Sequence, residues 1–139
     1  MDRKIKVTIV DDEADFRSMM SFWLKSKGYD VSEAPDGETA IRLIKEDTPD
    51  ILFLDLRMPV MNGMETLRHI RQFNKELPVI VISAYVNDPG TEDILNYGIS
   101  GVFYKGKNFE DVLTLLESAL RTHKNLKKKA PRPETDGAA

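Results

Sequence analysis

Two apolar periods alternate along the chain. Residues 4–10 read Lys-Ile-Lys-Val-Thr-Ile-Val, β-branched and alternating, which predicts a strand. Over 16–27 the apolar positions Phe16, Met19, Met20, Trp23 and Leu24 return at helical spacing, and Gly28 ends the helix. Residues 29–34 predict a short strand closed by the turn Pro35-Asp36-Gly37. A second helix over 38–46 turns Ala40, Ile41, Leu43 and Ile44 inward and breaks at Thr48-Pro49-Asp50. Ile51-Leu52-Phe53-Leu54 is apolar at every position, the pattern of a strand buried on both faces. It runs into Asp55, and Pro59 forces the chain to turn. Asn62-Gly63 signals a turn before a third helix, whose stripe is Met64, Leu67 and Ile70. Residues 78–82 form another fully apolar strand, ending at Ser83-Ala84. After a loop over 86–90, a fourth helix covers 91–97 and stops at Gly98. A fifth strand over 101–104 ends at Lys105. In the last helix Asn108 is the expected cap with Asp111 as its capping-box partner, and Val112, Leu115, Leu116, Ala119 and Leu120 face inward.

Five strands alternating with five helices require right-handed crossovers and a parallel sheet covered on both faces. The expected fold is a doubly wound α/β sheet, (βα)5 and flavodoxin-like, with strand order 2-1-3-4-5. A length of 139 residues suits one domain, expected over 1–123, followed by a basic, Pro-containing tail or linker over 124–139 without order of its own. No apolar run approaches the ~20 residues of a membrane span, and the N-terminus lacks a signal peptide's apolar core. The absence of cysteine excludes disulfides and thiolate metal sites. A cytoplasmic protein without membrane contact is expected. The net charge of −3 argues against direct nucleic-acid binding by this domain.

The strand ends carry the chemistry. Strands one, three, four and five end in Asp11-Asp12, Asp55, Ser83 and Lys105. In a parallel sheet these ends share one edge, where open α/β sheets bind their ligands. Taken singly each has a bland explanation: an aspartate after a strand is usually a turn former or cap, Ser83 could cap a helix, and Lys105 could be a solvated loop charge. Together they make an acidic cleft with a lysine and a hydroxyl beside it. Three carboxylates in one cleft repel, and a hard divalent cation such as Mg²⁺ relieves that repulsion. A carboxylate nucleophile, a metal, a lysine and a hydroxyl are the equipment for phosphoryl transfer.

These residues resemble the receiver domains of two-component response regulators, of the chemotaxis-regulator type. The matching elements are Val10-Asp11-Asp12-Glu13, Pro35-Asp36-Gly37, Leu54-Asp55-Leu56-Arg57-Met58-Pro59 with Met61-Asn62-Gly63, Ser83-Ala84-Tyr85, and Gly98 followed by Lys105. The resemblance spans residues 4–122. It implies that Asp55 is the phosphoacceptor for a sensor histidine kinase or phosphotransfer protein in a phosphorelay. Asp12 and Asp55 would ligate Mg²⁺, Asp11 would do so through water, and the backbone carbonyl of Arg57 would be a further ligand. Ser83 would be the switch hydroxyl and Lys105 would pair with the phosphoryl group. Phosphorylation would bias a surface of the fourth helix, fifth strand and fifth helix toward a downstream protein target or a phosphorylation-dependent dimer. Such a domain is not an enzyme in the ordinary sense, since it catalyses only its own phosphorylation and dephosphorylation.

Two positions depart from the family pattern. Gly106 follows Lys105 where proline is usual, and Val102 stands where many members rotate a Tyr or Phe. Strand alternation points Phe103 away from Val102, so an aromatic switch of the usual kind is not expected. Arg57 and Tyr85, each two residues past a site residue, would flank the path of hydrolytic water and shield an acyl phosphate.

Other functions remain open at this level. The chain could be the receiver of a longer transcriptional or enzymatic response regulator, or a receiver-like binding module independent of phosphorylation. A flavodoxin needs a hydroxyl- and glycine-rich phosphate loop after strand one, where this chain has Asp11-Asp12-Glu13. An aspartyl phosphatase commonly has a second Asp two residues after the nucleophile, where this chain has Arg57.

Overall fold

The structure, a computed structural model, describes residues 3–129, with side chains described to Thr122. The elements run β1 (Lys6–Val10), α1 (Ala14–Ser26), β2 (Asp30–Ala34), α2 (Gly37–Glu46), β3 (Ile51–Asp55), α3 (Gly63–Phe73), β4 (Val79–Ser83), α4 (Pro89–Leu95), β5 (Gly101–Tyr104) and α5 (Phe109–Lys129). All strand pairs are parallel, in the expected order β2-β1-β3-β4-β5. The register pairs Val10 with Leu54, Asp55 with Ile82 and Ser83 with Tyr104, so the carboxyl ends of the inner strands stand level.

The period of two divides the central strands between two cores. Leu52, Leu54, Val79 and Val81 face α2, α3 and α4, meeting Ala40, Ile44, Leu67, Ile70 and Ile94. Ile51, Phe53, Ile80, Ile82 and Phe103 face α1 and α5, meeting Met20, Leu24, Val112 and Leu116. Each such side chain contributes about 1.5–3 kcal/mol on burial. An exposed ion pair such as Arg3–Asp50 is screened by water, so the sheet and its two covers carry the fold. Val102 packs against the first core and Phe103 lies in the second, which is the divergence that strand alternation predicts.

Helix ends differ most from the sequence reading. α1 starts at Ala14, and its core-facing apolar stripe is Phe16, Met20, Trp23 and Leu24, at offsets of four, three and one, with Met20 and Leu24 fully buried. Met19 falls off that stripe and is 59% exposed, contrary to expectation. α4 starts at Pro89 rather than 91: Asp88 caps it by accepting the Gly90 amide at 2.9 Å, and a proline at the first helical position lacks only a donor that would be unpaired anyway. Asn62 opens α3 with a capping box, accepting the Glu65 amide at 2.9 Å while Glu65 Oε1 accepts the Asn62 amide at 3.0 Å. At the start of α5, Asn108 accepts the Glu110 amide at 2.9 Å. The α5 backbone continues to Lys129, past the expected domain end at 123, and the rest of the expected tail, 130–139, lies outside the described residues. No helix among the described residues is long and apolar enough to cross a membrane.

Candidate functional site

Local chemistry places each side chain at the carboxyl edge. β1 ends as Asp11 leaves the sheet, where the Asp11 amide donates to the Ala34 carbonyl at 3.1 Å. Asp11 Oδ1 accepts the Glu13 amide at 2.8 Å, so the acidic turn is braced by one of its own carboxylates. Arg17, one turn into α1, donates to the Asp11 carbonyl at 2.5 Å and to Glu33 Oε1 at 3.0 Å. It ties the β1–α1 turn to β2. Nothing in the linear pattern marked Arg17 for this; its position on the first turn of a helix that follows a functional loop is the available signal.

Asp55 closes β3 and is 4% exposed. Its Oδ1 accepts the Arg57 amide at 3.3 Å. The loop then folds back so closely that Gly63 has no room for a side chain: a Cβ would lie 2.9 Å from Leu56 Cα and closer still to the Asp55 carbonyl oxygen. Between them Val60 adopts φ +69°, with the Met61 amide donating across it to the Pro59 carbonyl at 2.8 Å. That is a tight γ-turn, rare for a β-branched residue.

Asp11, Asp12 and Asp55 converge, each offering a carboxylate oxygen within 4.8 Å of the others. Asp11 is fully buried, Asp55 nearly so, and Asp12 is exposed at the mouth. Lys105, carried in by the end of β5, places Nζ 3.0 Å from Asp11 Oδ2 and 3.9 Å from Asp55 Oδ2, and also pairs with Glu13. Its ammonium lies 4.8 Å from the Phe16 ring centre, an orientation that favours the cation. Burial opposes the charge on Lys105, but hydrogen bonds to Glu13 and Asp11 and the charges of Asp55 and Asp11 outweigh it and raise its pKa. Burial, reinforced by the charge of Asp11, pushes the Asp55 carboxyl up to about 8, against the opposing pull of Lys105.

The donor set fits a hard cation. Asp11 Oδ2 is buried without an aligned hydrogen bond even though Lys105 Nζ stands 3.0 Å away, and one lysine faces three carboxylates. Oxygen ligands of this charge and spacing suit Mg²⁺.

Ser83 is at the same edge, buried at the end of β4. Its hydroxyl donates to the Tyr85 carbonyl at 2.9 Å and accepts the Tyr85 amide at 3.2 Å, so it is engaged by its own loop. The Arg57 guanidinium is likewise engaged. It pairs with Asp88 through Nε at 2.9 Å and through Nη2, while Tyr85 is 69% exposed. Asp88 had no assigned role in the linear sequence. Gly106 adopts φ +93°, which glycine takes without strain, and every described peptide bond is trans.

Comparison with known proteins agrees with this fold. Residues 7–117 match the model of the response regulator receiver domain. The chain is similar to the Regulator of RpoS of Escherichia coli strain K12, 39% identical over 100 residues, which cover 72% of this chain and 30% of that protein. The chain thus spans under a third of the length of the curated relatives it matches. Among solved structures it resembles the chemotaxis protein CheY4 of Vibrio cholerae, with a TM-score of 0.79 and 30% identity over 85% of this chain and all of that one. It also resembles NtrX of Brucella abortus in complex with ATP, with a TM-score of 0.86 and 25% identity over 99% of this chain and 31% of that one.

Proposed function

The chain belongs to the response regulator receiver domains, and from that premise we propose that it is a phosphoacceptor switch in which Asp55 accepts a phosphoryl group. The observation that carries the proposal is the convergence of Asp11, Asp12, Asp55 and Lys105 at the carboxyl edge of the sheet. In the proposed reaction an Asp55 carboxylate oxygen attacks phosphorus in line. The new O–P bond forms as the P–N bond of a partner's phosphohistidine breaks, and the departing imidazole nitrogen keeps the electron pair.

Asp11, Asp12, Asp55 and the Arg57 carbonyl are the groups that would hold Mg²⁺, which supplies positive charge against the phosphoryl oxygens when bound. Lys105 is near enough to Asp55 to pair with the phosphoryl group after leaving Glu13. Ser83 would leave the Tyr85 carbonyl to donate to another phosphoryl oxygen, coupling the site to the β4–α4 loop. Val102, partly buried against the first core, leaves this coupling to the loop itself rather than to a rotating ring.

The donor is a histidine kinase or phosphotransfer protein, and the recipient of the signal is a protein that reads α4, β5 and α5, including a second copy of the chain. The domain, expected over 1–123, carries its last helix on to Lys129 and acts in the cytoplasm. Receiver domains are also found within longer proteins, as the 31% coverage of NtrX illustrates, and a receiver joined to an effector is compatible with this reading.

Reductive trapping tests the assignment. Borohydride converts an aspartyl phosphate to homoserine, so peptide mapping of the phosphorylated protein is expected to find homoserine at position 55. Phosphate that resists hydroxylamine and maps to Ser83 would overturn it.

A further inference from the structure

One arginine reaches both ends of the proposed switch. The Arg57 amide donates to Asp55 Oδ1 at 3.3 Å, and its guanidinium forks onto Asp88, using Nε at 2.9 Å together with Nη2. Asp88 is not a surface acid. Its side chain is 3% exposed, caps α4, and has the Gly90 amide as its other donor at 2.9 Å. Gly90 packs against the pair: a Cβ there would lie 3.3 Å from Asp88 Oδ1, 3.4 Å from Leu56 Cδ2 and 3.5 Å from Arg57 Nη2. The loop after Asp55 and the first turn of α4 are therefore joined by a bidentate pair with one buried member.

Such a pair is not an ordinary surface salt bridge. The planar fork fixes direction as well as distance, and a buried carboxylate deprived of its cation is costly. The Arg57 guanidinium is more than half exposed, so it is free to move while Asp88 is not. A phosphoryl group on Asp55 puts about 1.5–2 negative charges beside the Arg57 backbone in place of the carboxylate's one. Two anions then compete for one guanidinium.

Resting on the phosphoacceptor reading above, we propose that Arg57 is a phosphoryl-responsive positioning residue: it holds the first turn of α4 through Asp88 in the unphosphorylated protein and lets go when Asp55 is phosphorylated. The signal then reaches α4 by loss of a tether. This route is separate from the Ser83 hydroxyl and needs no rotating aromatic ring.

The test is hydrogen–deuterium exchange at the Gly90 and Thr91 amides, with intact mass taken on the same samples. Wild type, Asp88→Asn and Arg57→Lys are compared before and after treatment with Mg²⁺ and a small acyl-phosphate donor. Asparagine is as good a helix cap as aspartate, so Asp88→Asn keeps the cap and removes only the charge that holds Arg57. In the wild type, phosphorylation is expected to speed exchange about fivefold, the scale of losing one hydrogen-bonded contact to the Asp88 side chain. Asp88→Asn is expected to exchange at the faster rate from the start and to change less than about twofold on phosphorylation. Arg57→Lys keeps the charge without the fork and is expected to fall between them. A wild type that gains a phosphoryl group by mass with unchanged exchange overturns the tether alone. So does an Asp88→Asn protein that keeps the full response. A wild type that gains no mass overturns the phosphoacceptor reading, and the tether with it.

Discussion

Gly63 Cα rests directly on the backbone of Asp55. An added Cβ would meet the Asp55 carbonyl oxygen, the Asp55 carbonyl carbon at 3.1 Å and Leu56 Cα at 2.9 Å. These are main-chain atoms of a buried strand end and cannot rotate away. Gly63→Ala is expected to destabilise the protein by about 3 kcal/mol, the upper range for overpacking, because α3 must lift from β3. Urea unfolding measures this as a lower midpoint at unchanged slope. A midpoint equal to wild type would mean that the loop does not close as described.

Lys105 competes with any cation for the same carboxylates. Its ammonium is 3.0 Å from Asp11 Oδ2 and 3.9 Å from Asp55 Oδ2. Lys105→Met is expected to tighten Mg²⁺ binding at least about tenfold, the scale of removing one positive charge a few ångströms from a divalent ion even when the repulsion is screened as strongly as in bulk water. The metal-free variant is expected to melt below wild type, and saturating Mg²⁺ to restore it. Calorimetric titration together with thermal melts reads both.

The Asp55 carboxyl lies at about 8, first because of burial and then because of Asp11. In the unfolded chain it titrates near 4. Between those values the folded state holds a proton that the unfolded state has lost, so stability falls as pH rises from about 4 to about 8. Asp55→Asn removes this dependence and is expected to melt above wild type in the absence of metal, by a margin that widens up to pH 8. Asp88 runs the other way. Its pairing with Arg57 lowers its pKa, so its contribution is present at neutral pH and is lost as acid protonates it. Melting curves in the presence of a chelator, from about pH 2 to about pH 8, separate the two, because the Asp88 effect falls below about pH 4 and the Asp55 effect above it.

Val60 is a β-branched residue at φ +69°, with its side chain fully exposed. It therefore gains nothing from packing to offset the backbone strain. Val60→Gly is expected to raise stability by about 1 kcal/mol, a gain visible in chemical denaturation. A loss would show that valine at this position makes a contact absent from the fold described.

The sheet was legible in the sequence because strands buried on both faces leave no polar positions to confuse the period, as in 51–54 and 78–82. The edge residues were legible for the same reason: once the strands are placed, parallel topology alone carries Asp11, Asp12, Asp55 and Lys105 to one cluster and Ser83 to the same edge. Helix starts were less legible. Asp88-Pro89-Gly90 reads as a breaker, yet the aspartate caps and the proline begins α4. Met19 reads as core because a window cannot say which of several apolar positions the stripe omits. The partners of Arg57 and Arg17 could not be read at all. A long side chain chooses among acceptors tens of residues away, and only tertiary packing brings Asp88 to Arg57 or Glu33 to Arg17.

Intact mass after incubation with Mg²⁺ and a small acyl-phosphate donor, for wild type and Asp55→Asn, tests the central claim most directly. The site geometry predicts one added phosphoryl group on the wild type, lost when Mg²⁺ is chelated and absent from Asp55→Asn. Equal modification of both proteins would place the acceptor elsewhere and contradict the role assigned to Asp55. A wild type that stays unmodified with the donor or with a phosphorylated histidine partner, in the presence of Mg²⁺, would contradict the phosphoacceptor function itself.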